Sequence, residues 1–253
     1  MKTAFITGAS SGFGKATAIK LLENGYRVIA LARRKERLDE LKQQYNDKVH
    51  TIRIDIQDKN ALFKAIDEIP NEFLDIDVLI NNAGLALGLD EFDKTDINDF
   101  ETMVDTNIKG LLYVTHKILP ILRKTAKKSN RGAYIFNIGS VAENNAYFGG
   151  NVYAGTKAFV GQFSYSLRND VRGENIKVTD IAPGLCKTEF SEVRFKGDKQ
   201  KADKVYEGTK YLNGDDIAES IFAILNLPAH INVNKIELMP VTQTWAGFHI
   251  EKL

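Results

Sequence analysis

Tyr153 and Lys157 stand four residues apart in the stretch YAGTK. On a helix that spacing puts both side chains on one face. A phenol with an ordinary pKa of about 10 is a poor base at neutral pH. An ammonium beside it favours phenolate and brings the group into working range. Such a pair also suits a structural or solvated helix face. Ser140 favours the chemical reading, because it ends the apolar run YIFNIGS, 13 residues before Tyr153. The carboxyl ends of strands meet at the ligand crevice of an open α/β sheet. Ser140, Tyr153 and Lys157 therefore form a candidate proton-transfer site.

A second candidate lies in TGASSGFG, residues 7–14. The spacing of Gly8, Gly12 and Gly14 is neither a phosphate loop nor the G-x-G-x-x-G fingerprint. Gly14-Lys15 is followed by Ala16, and Ala9 stands where a phosphate loop needs glycine. Placed between a strand and a helix, the segment offers free N–H groups and the positive end of the helix dipole. A pyrophosphate is the natural guest, with Gly8, Ser10, Ser11, Gly12, Phe13 and Gly14 as candidate contacts. A plain glycine-rich turn is the alternative. The next apolar run ends ALARR, with no acid to take a ribose 2′-hydroxyl. Arg33 and Arg34 suit a 2′-phosphate instead, which favours NADP over NAD. They could also simply open a solvated helix in RRKER, a reading that fits Arg34 better than Arg33.

These side chains need elements to position them. Strands are expected at 3–7, 27–32, 50–55, 78–81, 133–138, 177–182 and 235–239. Several are β-branched and apolar throughout, as a sheet covered on both faces requires. Helical patterns fill 12–24, 35–45, 59–69, 99–123, 152–172 and 215–225. Gly25 suits a helix C-terminus and Asp58 a helix N-cap. The alternation predicts an α/β fold: a Rossmann-like, doubly wound, parallel seven-stranded sheet with helices on both faces, in a single domain spanning 1–253. Residues 186–214 are polar, without a strand pattern, and are expected to form a lid.

Composition narrows the function classes. Lysine and arginine number 34 against 33 acids, so the net charge of +1 speaks against a nucleic-acid partner. One cysteine, Cys186, permits no internal disulfide or cysteine metal cluster and fits a reducing, cytoplasmic setting. No apolar run nears the ~20 residues of a membrane span. The histidines His50, His116, His230 and His249 lack metal-ligand spacing, and no metal is expected. Cys186 has no apparent base beside it and is not expected to be a nucleophile.

TGASSGFG, NNAG at 81–84, DTNIKG at 105–110, NIGS at 137–140, YAGTK at 153–157 and Pro183-Gly184 follow one another in an order that resembles the classical short-chain dehydrogenase/reductases. The resemblance covers nearly the whole chain. It implies that Tyr153 gives a proton to the substrate oxygen during reduction and that Ser140 orients that oxygen. It implies that Lys157 holds the nicotinamide ribose and tunes Tyr153, and that Asn107 helps hold a relay water. NADPH would supply the hydride. Asp55 matches the position that bonds the adenine. Asn81, Ala83 and Gly84 match the segment supporting the cofactor, with a scaffold role open for Asn81. Pro183, Gly184 and Thr188 match the segment at the nicotinamide end.

Within that family, NNAGLALG, GGNVYAGTKAF, EFSEVRFKGD and LPAHINVNKIELMPVTQTWAG look like NADP-dependent 3-hydroxy acid dehydrogenases of bacteria and yeast. The resemblance implies substrates such as serine, L-allo-threonine, 3-hydroxyisobutyrate and 3-hydroxypropionate. A buried substrate carboxylate needs a partner. Arg194 is the candidate, with an exposed lid charge as the alternative, and Asn151 borders the same pocket. A reductase of acyl-carrier 3-oxo esters, diketones or sugars is the competing enzyme reading. A non-catalytic NADP-binding sensor is the competing class. The resemblance implies that the apolar tail with Trp245 and Phe248 crosses to a neighbouring subunit in a homotetramer, with folding onto its own subunit as the alternative.

Overall fold

Neighbouring residues of a strand face opposite sides of a sheet, and here both sides are apolar. The computed structural model describes residues 1–244. Its strands are β1 (Thr3–Thr7), β2 (Arg27–Ala32), β3 (Val49–Arg53), β4 (Ile76–Asn81), β5 (Ala133–Ile138), β6 (Ile176–Pro183) and β7 (Lys235–Leu238). Its α-helices are α1 (Gly12–Glu23), α2 (Lys35–Tyr45), α3 (Lys59–Asp67), α4 (Ile97–Val104), α5 (Leu111–Lys128), α6 (Asn151–Asp170), α7 (Phe190–Arg194), α8 (Lys199–Lys204) and α9 (Gly214–Asn226). The strands form one parallel sheet in the order β3-β2-β1-β4-β5-β6-β7.

Ala4 and Ile6 of β1 enter a core with Leu21 of α1, Leu38 of α2 and Ile221 of α9. Phe5 between them enters the opposite core, with Leu62 of α3, Ile118 of α5 and Leu167 of α6. Each fully buried Leu, Ile or Phe among these contributes about 1.5–3 kcal/mol relative to exposure. The order reverses direction at β1, whose neighbours are β2 and β4. At such a switch point the loops after two strands part and leave a crevice.

The expected alternation holds, with shifted boundaries. Gly25 follows α1 with φ +82°, and Asp58 caps α3 by accepting from the Ala61 N–H at 3.0 Å. The strand expected at 50–55 ends at Arg53, so Asp55 lies beyond it. The helix expected at 99–123 is two helices joined by a π turn at Asp105–Gly110. Apolar spacing runs through that turn without a break, so periodicity does not reveal it. Residues 186–214 carry the short helices α7 and α8. The ends of this excursion are pinned by a bridge between Cys186 and Leu212. Tyr206 ties its middle, donating to the Cys186 carbonyl at 3.0 Å and meeting the Ser191 hydroxyl at 2.5 Å. Trp245, Phe248 and His249 lie outside the described residues.

Gly14 explains the last glycine of the loop. A Cβ there would overlap the Gly8 carbonyl oxygen and stand 2.5 Å from Asn82 Nδ2. Neither can yield, since one is backbone and the other a bonded amide. Gly14→Ala is expected to lower stability by about 1–3 kcal/mol, read as a lower urea midpoint. An unchanged midpoint would mean that α1 can lift from the loop without cost.

Candidate active site

The loop between β1 and α1 is an open cradle. Gly8 and Gly12 take φ +67° and +50°, which favour glycine. Ser11 precedes α1 in extended conformation, and its side chain caps nothing. The first N–H groups of α1 are thus left facing outward at the positive end of the helix dipole. The loop is held to β4 by residues the sequence did not single out for this. The Thr7 hydroxyl accepts from the N–H of Asn82 at 3.0 Å and of Ala83 at 2.9 Å. The Asn82 amide donates to the Thr7 carbonyl at 2.8 Å.

This cradle is one end of a cavity of about 340 Å³ along the carboxyl ends of the strands. Gly8, Ser10, Ser11, Gly12 and Phe13 line it, and so do Arg33, Arg34 and Asp55. Ala83, Gly84, Pro183, Gly184 and Thr188 form further wall, and Ser140, Tyr153 and Lys157 close the far end. Gly14 is not on the wall and acts through packing.

Arg33 lies 3.6 Å from the Asp55 carboxylate. Arg34 does not simply open a solvated helix. Its guanidinium donates to the Ser10 hydroxyl at 3.3 Å and to Glu189 at 2.6 Å, so it joins the glycine loop to the segment after β6. Cys186 also lines the cavity, its thiol pushed up to about 12 by burial, then by Asp216. Such a thiol is a poor nucleophile.

Two asparagines are drawn away from the cavity. Asn81 donates to the Thr115 hydroxyl and to Asn137 Oδ1, both at 2.8 Å. Asn137 in turn donates to Ser164 of α6 at 2.9 Å. The buried chain from β4 through β5 fixes the helix that carries Tyr153, which is the scaffold role left open for Asn81. Asn107 points inward from the π turn. Its amide donates to the Leu85 carbonyl at 2.8 Å and the Thr156 hydroxyl at 3.0 Å, and it accepts from the Leu85 N–H at 2.9 Å. These bonds clamp the loop after β4 onto α6. Asn151 is exposed, accepts from the Val152 N–H at 2.6 Å, and does not line the cavity.

Tyr153 and Lys157 share the inner face of α6, as their spacing predicts, and both are buried. Lys157 Nζ donates to the Ile138 carbonyl at 2.7 Å and lies 5.9 Å from the centre of the Tyr153 ring. Burial pushes the Tyr153 phenol up to about 12, while the Ser140 hydroxyl and the Arg194 guanidinium pull the other way. Burial pushes Lys157 down to about 8, against the attraction of Glu143 and Asp180. The ammonium does not bring the phenol into working range as the spacing suggests, because burial outweighs it: the phenol holds its proton at neutral pH, and the ammonium is lost only as pH rises through about 8. Ser140 is fixed by a capping box: its hydroxyl accepts from the Ala142 N–H at 3.1 Å, and its N–H donates to Glu143 at 2.8 Å.

Arg194 of α7 is not on the cavity wall, but it stacks against the ring of Tyr153 at this end. Its guanidinium carbon lies 5.1 Å from the Tyr153 ring centre and 5.3 Å from that of Phe190. Nη2 donates to the Tyr147 hydroxyl at 2.9 Å. Nε is buried and has no hydrogen-bond partner among the described residues.

The short-chain dehydrogenase family model matches residues 2–199. The chain belongs to the short-chain dehydrogenase family. This short-chain dehydrogenase is 49% identical over 248 residues to the NADP-dependent 3-hydroxy acid dehydrogenase YdfG of Salmonella typhimurium, covering 98% of each chain. It is 47% identical to the serine 3-dehydrogenase of Agrobacterium fabrum over 98% of its own length and 97% of the relative's. A closed form of serine dehydrogenase complexed with NADP+ superposes with a TM-score of 0.95 at 44% identity, over 99% of this chain and 100% of that one. Among the described residues no helix is long and apolar enough to cross a membrane, and no group of three or more His, Cys, Asp or Glu is placed to hold a metal.

Proposed function

We propose that this short-chain dehydrogenase is an NADP-dependent oxidoreductase of small 3-hydroxy acids, in the class of serine, L-allo-threonine and 3-hydroxypropionate. The observation that carries the reading is Arg194: a guanidinium with a buried, unpartnered Nε, set over the ring of the proton-transferring phenol. A substrate carboxylate would pair with it while the hydroxyl-bearing carbon sits near Tyr153.

The residues fit the cofactor. The uncapped start of α1 and the glycine loop would hold the pyrophosphate. Arg33 and Arg34 line the cavity and would supply the cations a 2′-phosphate needs, and Asp55 would border the adenine. Pro183, Gly184 and Thr188 line the route to the nicotinamide end, where Lys157 would meet the ribose. NADP(H), when bound, supplies or accepts the hydride.

The chain's own groups handle the proton. In reduction Tyr153 gives its proton to the carbonyl oxygen, and the Ser140 hydroxyl donates to the same oxygen and orients it. The capping box holds Ser140 in that pose. Lys157 steadies the phenolate left behind. Its own hydrogen bond to Ile138 fixes the ammonium at the sheet edge. In oxidation the proton moves the other way. Asn107 supports the relay by holding the Leu85 backbone and α6 together rather than by facing the substrate. Residues 186–214 act as the lid, since α7 brings Arg194 and Phe190 over Tyr153. A cytoplasmic location and a homotetramer belong to the same proposal: the single free thiol suits a reducing compartment, and the family resemblance favours the assembly.

Nicotinamide absorbance tests the reading with serine, L-allo-threonine, 3-hydroxyisobutyrate, 3-hydroxypropionate and an uncharged secondary alcohol. The acids should turn over with NADP⁺, and Tyr153→Phe should lower kcat/KM by about 10²- to 10⁴-fold. Turnover of the neutral alcohol alone would discard the hydroxy-acid reading, and no turnover at all would favour another carbonyl class or a binding role. Arg194→Ala should raise KM for the acids by roughly tenfold or more and spare the neutral alcohol; equal loss on both would remove Arg194 from carboxylate binding. Arg33→Ala should weaken binding of NADP⁺ by about tenfold and of NAD⁺ far less, by fluorescence titration; parallel weakening would contradict the 2′-phosphate role.

A further inference from the structure

Behind Ser140, away from the cofactor cavity, two acidic side chains are buried side by side. Asp180 of β6 is fully buried, and neither of its carboxylate oxygens has a hydrogen-bond donor among the described residues. Glu143, in the turn after Ser140, has only 3% of its side chain exposed. Glycines make the room. A Cβ on Gly139 would overlap both Glu143 Oε1 and Asp180 Oδ1, and one on Gly161 would stand 2.6 Å from Glu143 Oε2. Lys235 of β7 is the one cation in contact with the two acids among the described residues, 2.7 Å from Glu143 and 3.7 Å from Asp180.

Two acceptors facing each other without a donor are repulsive and costly to bury. Two carboxylates against one ammonium also leave one negative charge uncompensated. A single proton between the acids removes both problems. We propose that Glu143 and Asp180 share one proton against Lys235, and that this trio is the positioning element that fixes Ser140 and supports the charge of Lys157. The inference rests on the reading of Ser140, Tyr153 and Lys157 as the reacting group.

The surroundings fit. Burial, then Glu143, pushes Asp180 up to about 8, while Lys235 and Lys157 draw it down. Glu143 and Asp180 both act to raise Lys157, and Glu143 raises Tyr153. From β7, Glu237 adds its charge to Lys235. A second cavity, of about 500 Å³, is lined by Glu143, Lys235, Glu237, Gln162 and Tyr165 and gives the proton a way to solvent. The sign follows. Below about pH 8 the shared proton is held. Above it Asp180 becomes charged and helps Lys157 keep its ammonium as pH rises.

Infrared difference spectra across a pH titration read the shared proton directly, without turnover. The wild-type protein should show the carbonyl band of a protonated carboxylic acid at neutral pH, fading as pH rises through about 8. The band should be lost at neutral pH in Asp180→Asn and in Glu143→Gln, and should persist to higher pH in Lys235→Met. A wild type without the band, or a band unchanged in both conservative variants, overturns the shared proton. Reductive kcat/KM against pH reads the second part. The alkaline fall in rate should move to lower pH in Asp180→Asn, because Lys157 loses a supporting charge. Superimposable profiles overturn the link to Lys157. A wild type inactive on every hydroxy acid defeats the functional reading instead, and the infrared band still decides the shared proton.

Discussion

A parallel sheet covered by helices on both faces can meet a ligand only at its rim. In this short-chain dehydrogenase α1, α2 and α9 close one face and α3, α5 and α6 the other. What stays open is the edge where strand carboxyl ends meet, at the reversal between β1 and β4. The glycine loop, the arginines after β2, Ser140 after β5 and Pro183 at the end of β6 collect there because each follows a strand of that one sheet. Even the buried chain Asn81–Asn137–Ser164 serves this constraint, since it sets α6 against the rim.

The same burial sets the protonation states. It pushes the Tyr153 phenol up and the Lys157 ammonium down. The phenol therefore keeps its proton, and the ammonium beside it is the counter-charge for the phenolate left when that proton is given. Polar groups then trim the result: Ser140 and Arg194 lower Tyr153, while Glu143 and Asp180 sustain Lys157. Water alone would screen all of these effects. The covering segment after β6 matters for that reason, and its ties through Tyr206 and the Cys186–Leu212 bridge give it a defined shape.

Much of the fold and part of the site were legible in the chain. Seven apolar runs separated by amphipathic stretches specify seven strands, since a strand buried on both faces has few other sequences. Tyr153 and Lys157 share a face because helical spacing is a local property. The π turn was not legible, because a turn widened by one residue leaves apolar spacing almost unchanged. Neither was the division of labour in NNAG. Asn81 and Asn82 are adjacent and chemically identical, yet the strand pleat sends Asn81 inward to Asn137 and leaves Asn82 to bond the loop after β1. The sequence also did not show that Asn107 is tied into the protein by bonds to Leu85 and Thr156, or that Asn151, expected at the pocket, is an exposed helix start.

The sequence by itself determined what depends on neighbours along the chain: the strand and helix alternation, the free N–H groups of the glycine loop, the shared face of Tyr153 and Lys157, and the cations after β2. Tertiary structure alone decided what depends on distance between remote segments. It brought Arg194 over Tyr153, Glu189 to Arg34, and Lys235 to Glu143 and Asp180. These pairings span tens of residues, and the burial that sets their electrostatics exists only after the sheet and its helices have closed around them.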